Sequence, residues 1–164
     1  MSATDERNRA MEAARRDYPT ALKWARGVSD AWFRAQALAG VARYAPESDV
    51  VRIAEEALRA VADAKDAYRR VGSSAWAIRA LVERGKHERA AKAALGLSEF
   101  AGNIDHPVSR LNALLVLWQA AFPLGGAVRR QILRRLIAAC EAASSWQAGR
   151  ALRDAALMVA TYDP

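Results

Sequence analysis

Residues 30–48 read DAWFRAQALAGVARYAPES, and this stretch decides the fold. Asp30 is a residue type that favours helix starts, and Pro46 is typical of the positions just after a helix end. Arg34 is followed by AQALAGVA. The side chains one, four, seven and eight positions after this arginine lie on one side of a helix with 3.6 residues per turn. The stretch therefore predicts an amphipathic helix over 30–44.

The same arginine-led pattern recurs three more times along the chain. Arg70 is followed by VGSSAWAI, Arg110 by LNALLVLW and Arg150 by ALRDAALM. Counted from Arg34, the successive arginines are 36, 40 and 40 residues apart. A second helical segment lies between each pair of these helices, so each period contains two helices. Periods of this length, built from helix pairs, are typical of an α-solenoid.

The periodicity predicts an all-α fold, with no competing β signal because β-branched residues are sparse and do not alternate. We expect an α-solenoid of about four antiparallel helix-pair repeats, with a period of about 36–40 residues, in a single domain over 1–164. The predicted helices number roughly nine and cover 3–17, 19–28, 30–44, 48–63, 66–84, 86–101, 106–122, 126–143 and 145–160.

Residues suited to helix ends set the predicted boundaries. Ser48 is a good N-cap for the fourth helix, and Asp30 and Asp105 mark the starts of the third and seventh. Pro19 fits the first position of the second helix. At Gly72–Ser74 two alternatives remain open, because the repeat alignment favours a continuous helix whereas local propensity favours a break.

One stretch resembles a known repeat architecture. Ala21 to Leu38, ALKWARGVSDAWFRAQAL, is similar to the A-L-x-x-A-x-x-V-x-D-x-x-x-R-A-x-A-L pattern of bacterial tetratricopeptide-like and HEAT-like helical repeats. The resemblance covers most of the chain as a period, and its motif is strongest in this stretch. It implies a protein-interaction scaffold, by analogy with the fold rather than from chemistry.

The repeated arginines are the leading candidate site. Stacked repeats put equivalent residues in a row about 10 Å apart, and a row of guanidiniums suits carboxylates or phosphates. The alternative is local, because Asp30 and Asp66 stand four residues before an arginine, a spacing that gives helix-surface ion pairs of about 0.2–0.5 kcal/mol. The candidate groove residues are these arginines and two aromatic residues that precede them: Arg34, Arg70, Arg110, Arg150, Trp32 and Tyr68.

A second basic feature lies between Asp105 and Glu141, where no acidic residue occurs. It contributes to a net charge of +7, from 25 Lys and Arg against 18 Asp and Glu. Such a cluster is either a solvated helix face or a polyanion-binding surface whose affinity would fall with salt. The polyanion-binding candidates are Arg129, Arg130, Arg134 and Arg135.

The sequence offers no credible active site. His87 and His106 are not at metal-ligand spacing, and Cys140 lies on an apolar helical stripe. Gly125-Gly126 lacks the Lys-Ser/Thr that completes a phosphate-binding loop. We therefore expect no enzymatic activity, no metal and no cofactor.

Targeting signals are also lacking in the sequence as given. No run approaches the roughly 18 apolar residues that a membrane span needs, and the N-terminal stretch has no apolar segment of a secretory signal. A single cysteine allows no internal disulfide. A cytoplasmic location is expected.

Three hypotheses remain, two for function and one for assembly. The first is a non-enzymatic helical-repeat scaffold that binds a protein partner, such as an acidic peptide or helix, through its concave face. The alternative is a HEAT-like nucleic-acid-binding module that uses the Arg-rich surface. Self-association is the third, because the last predicted helix, 145–160, has no following helix to pack against.

Overall fold

The computed structural model describes residues 1–62, 64 and 66–162, and these residues form nine α-helices with no strand among them. A short 3-10 helix, Ala101–Asn103, follows the sixth. The all-α class and the predicted number of helices are confirmed. The α-helices are α1 (Ala3–Ala13), α2 (Tyr18–Gly27), α3 (Ala31–Ala42), α4 (Val50–Ala60), α5 (Ala67–Glu83), α6 (His87–Phe100), α7 (Pro107–Ala121), α8 (Gly126–Ala143) and α9 (Trp146–Tyr162).

Each helix packs mainly against the helices one and two positions away from it along the chain. The odd-numbered helices contact one another successively from α1 to α9. Each even-numbered helix packs against the odd-numbered helix on either side of it. A stack of helix pairs, in which each pair contacts only its neighbours, makes contacts of this kind. The curvature of a solenoid stays a prediction.

The odd-numbered helices form the centre of the core, which is one hydrophobic cluster reaching from α1 to α9. In α3 every residue from Ala35 to Ala42 is buried. Most of these side chains are small, so neighbouring helices can approach closely. At Gly40 an added Cβ would lie 2.7 Å from Cγ of Met11, which shows that α1 packs directly on the backbone of α3.

α5 continues through Gly72–Ser74 without a break, which decides between the two alternatives left by the sequence. Ser73 and Ser74 are 1% and 2% exposed, and α5 packs against both α3 and α7. Their small side chains suit a helix enclosed on several sides. Tertiary packing therefore overrides the weak local helix propensity of this segment.

The predicted start of α3 is confirmed by its capping hydrogen bonds. A carboxylate oxygen of Asp30 accepts hydrogen bonds from the backbone N–H groups of Trp32 at 2.8 Å and Phe33 at 3.2 Å. These bonds satisfy donors that have no partner within the helix. Pro19 is the second residue of α2, whereas the sequence predicted it as the first.

Two other predicted helix starts are wrong. Ser48 does not cap α4: the N-cap position is Asp49, whose carboxylate accepts a hydrogen bond from the Tyr18 hydroxyl at 2.6 Å. This bond lowers the pKa of Asp49 below its ordinary value of 3.8. Asp105 does not cap α7, because His106 occupies that position and its Nδ1 accepts a backbone N–H instead.

Candidate functional site

A groove lies between α4 and α6, and α5 forms its floor. Its volume is about 590 Å³. α4 and α6 both pack against α5 but stand apart from each other, whereas α6 packs against the next even-numbered helix, α8. Most of the groove surface is apolar, and its apolar side chains come from the three helices and from the turn after α4: Leu58, Ala62, Leu81, Ala93, Leu97 and Phe100.

Small residues keep the α6 wall open. Gly96 faces the groove in the middle of α6, and an added Cβ there would meet no atom within 4 Å among the described residues. A glycine inside a helix costs about 1 kcal/mol relative to alanine. Since packing within the described chain does not require a glycine here, Gly96 leaves space at the groove that an incoming side chain can occupy.

The groove is strongly basic at its rim. Four cationic side chains line it, against the single carboxylate of Glu55. That carboxylate is shared between Arg59 on α4, at 4.0 Å, and Arg89 on α6, at 3.4 Å. Arg70 and Lys92 have no ion pair within the part of the chain that the structure describes. The groove therefore carries excess positive charge beside its apolar side chains.

Arg70 is the repeated arginine that lines this groove. It extends from α5, and its guanidinium carbon lies 4.0 Å from the ring centroid of Phe100 on α6. A guanidinium over an aromatic face is attracted by the ring quadrupole and is held in place with its N–H donors available. The placement makes Arg70 suitable for binding a carboxylate.

Arg34 and Arg110 have a different and shared role. A guanidinium nitrogen of Arg34 donates to the carbonyl of Val28 at 2.9 Å, and Nε of Arg110 donates to the carbonyl of Ile104 at 2.8 Å. Each carbonyl lies six residues before its arginine, in the turn that leads into the helix. Both arginines therefore connect the first turn of their helix to the preceding turn by a hydrogen bond between side chain and backbone.

The local ion pairs proposed from the sequence are not formed. The Asp30 carboxylate accepts backbone N–H groups of the first turn of α3 and does not pair with Arg34. Asp66 pairs with Arg69 at 3.7 Å rather than with Arg70. Arg150 is exposed and lies 4.0 Å from Asp154. The four repeated arginines thus have three different environments, because helix position alone does not determine which acceptor each long side chain reaches.

The two aromatic candidates lie near the starts of α3 and α5. Trp32 is half-buried, with its ring centroid 5.2 Å from that of Phe33, and the guanidinium of Arg69 lies 5.2 Å from the Trp32 ring. Tyr68 is 39% exposed. Neither residue lines the α4–α6 groove.

The second basic cluster lies on α8. Arg130 and Arg134 are exposed, Arg135 is half-buried, and none of the three forms an ion pair with a described residue. Arg129 lies beside the Phe122 ring, 4.8 Å from its centroid. Three of these arginines thus present their charge to solvent or to a polyanion.

A smaller groove, with a volume of about 430 Å³, lies between the preceding pair of even-numbered helices, α2 and α4, with α3 between them. Here an ion pair crosses it: Arg26 binds both carboxylate oxygens of Glu56, at 2.8 and 2.9 Å. The hydrogen bond from Arg26 is the main cause that lowers the pKa of Glu56. Arg34 and Arg59 also line this groove, so it too has more cationic than acidic side chains.

The one cysteine of the chain lies in the core. Cys140 is 3% exposed, and burial raises the pKa of its thiol. Among the residues with assigned positions, no three His, Cys, Asp or Glu side chains are grouped to hold a metal ion. No described helix combines the length and the apolar character that crossing a bilayer would require.

Arg59, Arg89, Lys92 and Phe100 were not identified from the sequence as site residues. They come from two helices and meet only because α4 and α6 flank α5. One signal was available in α6, where the groove-lining Ala93, Leu97 and Phe100 recur at three- and four-residue spacing beside Arg89 and Lys92. That stripe predicts an apolar face on α6. It does not distinguish a face buried against another helix of the chain from one that lines an open groove.

No family model matches the chain, and the comparisons with curated proteins and with solved structures found no match either.

Proposed function

We propose that this chain is a non-enzymatic protein-binding module whose α4–α6 groove binds an acidic amphipathic helix of a partner protein. The observation that carries the proposal is the combination, in one groove of about 590 Å³, of a largely apolar lining with four cationic side chains and a single carboxylate. Recognition of a helix in a groove uses apolar anchors for affinity, and complementary charges for orientation and rate.

Geometry favours a helix as the occupant. α4 and α6 leave a gap above α5, whereas α6 and α8 are in contact one hairpin later. The α6 wall has 14 residues, which corresponds to about 21 Å at 1.5 Å per residue. A partner helix of about four turns can therefore place apolar side chains on Leu97 and Phe100 along that wall and on Leu58 of α4.

Charge favours an acidic occupant. Arg70 and Lys92 stand on different helices, and neither is paired with a carboxylate in the described chain. Arg70 is also half-buried, so a carboxylate bound to it would interact in a partly desolvated environment. Charge-assisted hydrogen bonds to a guanidinium are roughly twice as strong as neutral ones, so an acidic partner gains both affinity and orientation.

We expect charge reversal in the groove to abolish helix binding. The probe is a fluorescein-labelled peptide of about 16 residues, with leucine on one helical face and glutamate on the other, titrated by fluorescence anisotropy. The double variant Arg70→Glu/Lys92→Glu is expected to weaken binding by at least about 30-fold, through lost attraction and new repulsion. The matched control is Arg130→Glu/Arg134→Glu, which changes the net charge equally but lies on α8.

Equal losses in both double variants would contradict the groove assignment, because they would show that only overall charge matters. A second peptide, with lysine in place of every glutamate, is expected not to bind the native protein. Binding of that peptide as tightly as the acidic one would remove charge complementarity from the proposal.

Filling the groove tests the same proposal without altering charge. Gly96→Leu puts a side chain into open space on an exposed helix face, so we expect the free energy of unfolding to rise by about 0.5–1 kcal/mol through helix propensity. The same variant is expected to weaken peptide binding by at least about tenfold. Gly96→Ala is the control: it raises stability similarly but leaves most of the groove open. Unchanged affinity in Gly96→Leu would place the binding site elsewhere.

The second candidate function is nucleic-acid binding through α8, which the three arginines without a described ion pair favour. A filter-binding titration with duplex DNA at two salt concentrations tests it. Binding at low salt that is lost in Arg130→Glu/Arg134→Glu but kept in Arg70→Glu/Lys92→Glu would support this candidate. Absence of binding at low salt would eliminate it.

A further inference from the structure

The α2–α4 groove and the α4–α6 groove are equivalent positions of the helical repeat. α2 and α4 both pack against α3, as α4 and α6 both pack against α5. Arg34 lines the first groove and Arg70 lines the second, and these two arginines are 36 residues apart. Leu38 and Ser74, each four residues further along its helix, line the same two grooves. The same part of an odd-numbered helix therefore lies between the walls of each groove.

The walls of the two grooves correspond as well. Three buried residues of α2 match three buried residues of α4 at a distance of 32 residues: Ala21, Leu22 and Ala25 with Ile53, Ala54 and Ala57. A distance of 37 residues matches the buried side of α4 with that of α6: Ile53, Ala57 and Val61 with Ala90, Ala94 and Ser98. With these distances every wall residue of the first groove corresponds to a lining residue of the second: Arg26 to Leu58, Glu56 to Ala93, Arg59 to Gly96 and Ala60 to Leu97.

The two grooves differ at the positions that face each other across the gap. In the first groove, Arg26 of α2 binds both carboxylate oxygens of Glu56 in the middle of α4, at 2.8 and 2.9 Å. The equivalent residues of the second groove are Leu58 and Ala93, whose side chains cannot form an ion pair. One repeat framework thus carries a charged crossing in one groove and an apolar lining in the other.

The second groove has an ion pair of a different kind. Glu55 of α4 and Arg89 of α6 are joined by a single contact of 3.4 Å, and both side chains are largely exposed. Arg89 is the third residue of α6, so this contact lies at one end of that wall. It leaves the positions of Ala93, Gly96 and Leu97, further along α6, available to a partner.

We propose that the Arg26–Glu56 ion pair confines helix binding to the α4–α6 groove, because it blocks the equivalent α2–α4 groove. The inference rests on the function proposed above and identifies the residues that determine which groove is used. A helix entering the α2–α4 groove must separate a bidentate pair whose carboxylate is only 28% exposed, and leaving such charges unpaired is costly. Its own carboxylates would also be repelled by that of Glu56. The chain therefore offers one site for an acidic helix although its repeat builds two grooves.

Removing the ion pair is expected to create a second binding site. Arg26→Leu/Glu56→Ala introduces the residues that the α4–α6 groove has at these positions and keeps the net charge of the native chain. Calorimetric titration with the acidic leucine–glutamate peptide described above is expected to give one peptide per native chain and two per variant chain. Arg34 and Arg59 remain in the groove to attract the second peptide. Exposed ion pairs contribute little to stability, so the circular dichroism spectrum should be unchanged.

Two further variants locate the new site. Arg26→Glu/Glu56→Arg restores an ion pair in the reversed order, so it is expected to bind one peptide per chain as the native protein does. Arg26→Leu/Glu56→Ala combined with Arg70→Glu/Lys92→Glu isolates the opened groove. This combination is expected to recover the binding of one peptide that Arg70→Glu/Lys92→Glu alone loses.

The stoichiometry separates this inference from the function on which it rests. One peptide per chain in both the native protein and Arg26→Leu/Glu56→Ala overturns the inference and leaves the α4–α6 groove as the binding site. Two peptides per native chain, or two on the reversed pair Arg26→Glu/Glu56→Arg, also overturn it, because the ion pair would then not block a groove. No binding to the native chain overturns the proposed function and this inference with it.

Discussion

Replacing Trp118 with alanine is expected to lower the free energy of unfolding by about 3–5 kcal/mol. Trp118 is 0% exposed and is the largest of the fully buried side chains. Its ring meets that of Phe122 edge-on, with the centroids 5.0 Å apart. The alanine variant loses this burial and leaves a cavity in α7, where neighbouring helices prevent full collapse. Urea unfolding followed by circular dichroism gives the measurement.

Trp118→Phe separates packing from hydrogen bonding. Nε1 of Trp118 is buried without a hydrogen-bond partner among the described residues, so phenylalanine removes an unsatisfied donor along with part of the ring. We expect a loss well below that of the alanine variant. A cost for Trp118→Phe equal to that for Trp118→Ala would contradict the assignment, because it would show that the N–H group is paired.

Replacing Arg84 with alanine is expected to cost about 2–3 kcal/mol. Nη1 of Arg84 donates to the carbonyls of Arg43 at 3.0 Å and Ala45 at 2.8 Å, and Nη2 donates to Glu47 at 3.1 Å. The first carbonyl belongs to the C-terminal end of α3, where the helix leaves acceptors without an internal partner. One guanidinium at the end of α5 thus satisfies the end of α3 and joins the two helices.

Two further variants give the comparison for Arg84. Arg84→Lys keeps the charge but supplies no planar fork of donors, so we expect it to recover only part of the loss. Arg79→Ala removes an exposed arginine from the same helix and is expected to change stability by less than about 0.5 kcal/mol. Thermal unfolding of the three variants side by side tests the order. Equal effects at positions 79 and 84 would show that the carbonyl contacts contribute nothing.

The helices were predictable because their signals are local. The pattern led by Arg34 recurs at similar intervals, and the carboxylate of Asp30 caps the helix that it starts. The wrong N-caps have an equally physical cause. The Asp49 carboxylate makes no capping hydrogen bond at the start of α4 but binds the Tyr18 hydroxyl, 31 residues earlier, and Arg52. The contact with Tyr18 joins distant segments, so the local preference for Ser48 carries no signal for it.

The site was predictable only in part, because it depends on such distant contacts. Arg34 and Arg70 have the same register, yet one donates to a carbonyl of its own turn and the other stacks on Phe100 of the next helix. The sequence contains no signal for this difference. It also contains none for the gap between α4 and α6, which decides that the stripe ending at Phe100 lines a groove instead of being covered.

The uninterrupted burial of Ala35 to Ala42 in α3 has a consequence for how this protein can diversify. A helix enclosed on all sides accepts few substitutions, so selection for folding fixes its residues. The rim residues Arg59, Arg89 and Lys92 are exposed and contribute little to that constraint. Under the proposed function, substitutions at these three positions are therefore expected to change which helix the groove prefers while leaving the free energy of unfolding nearly unchanged.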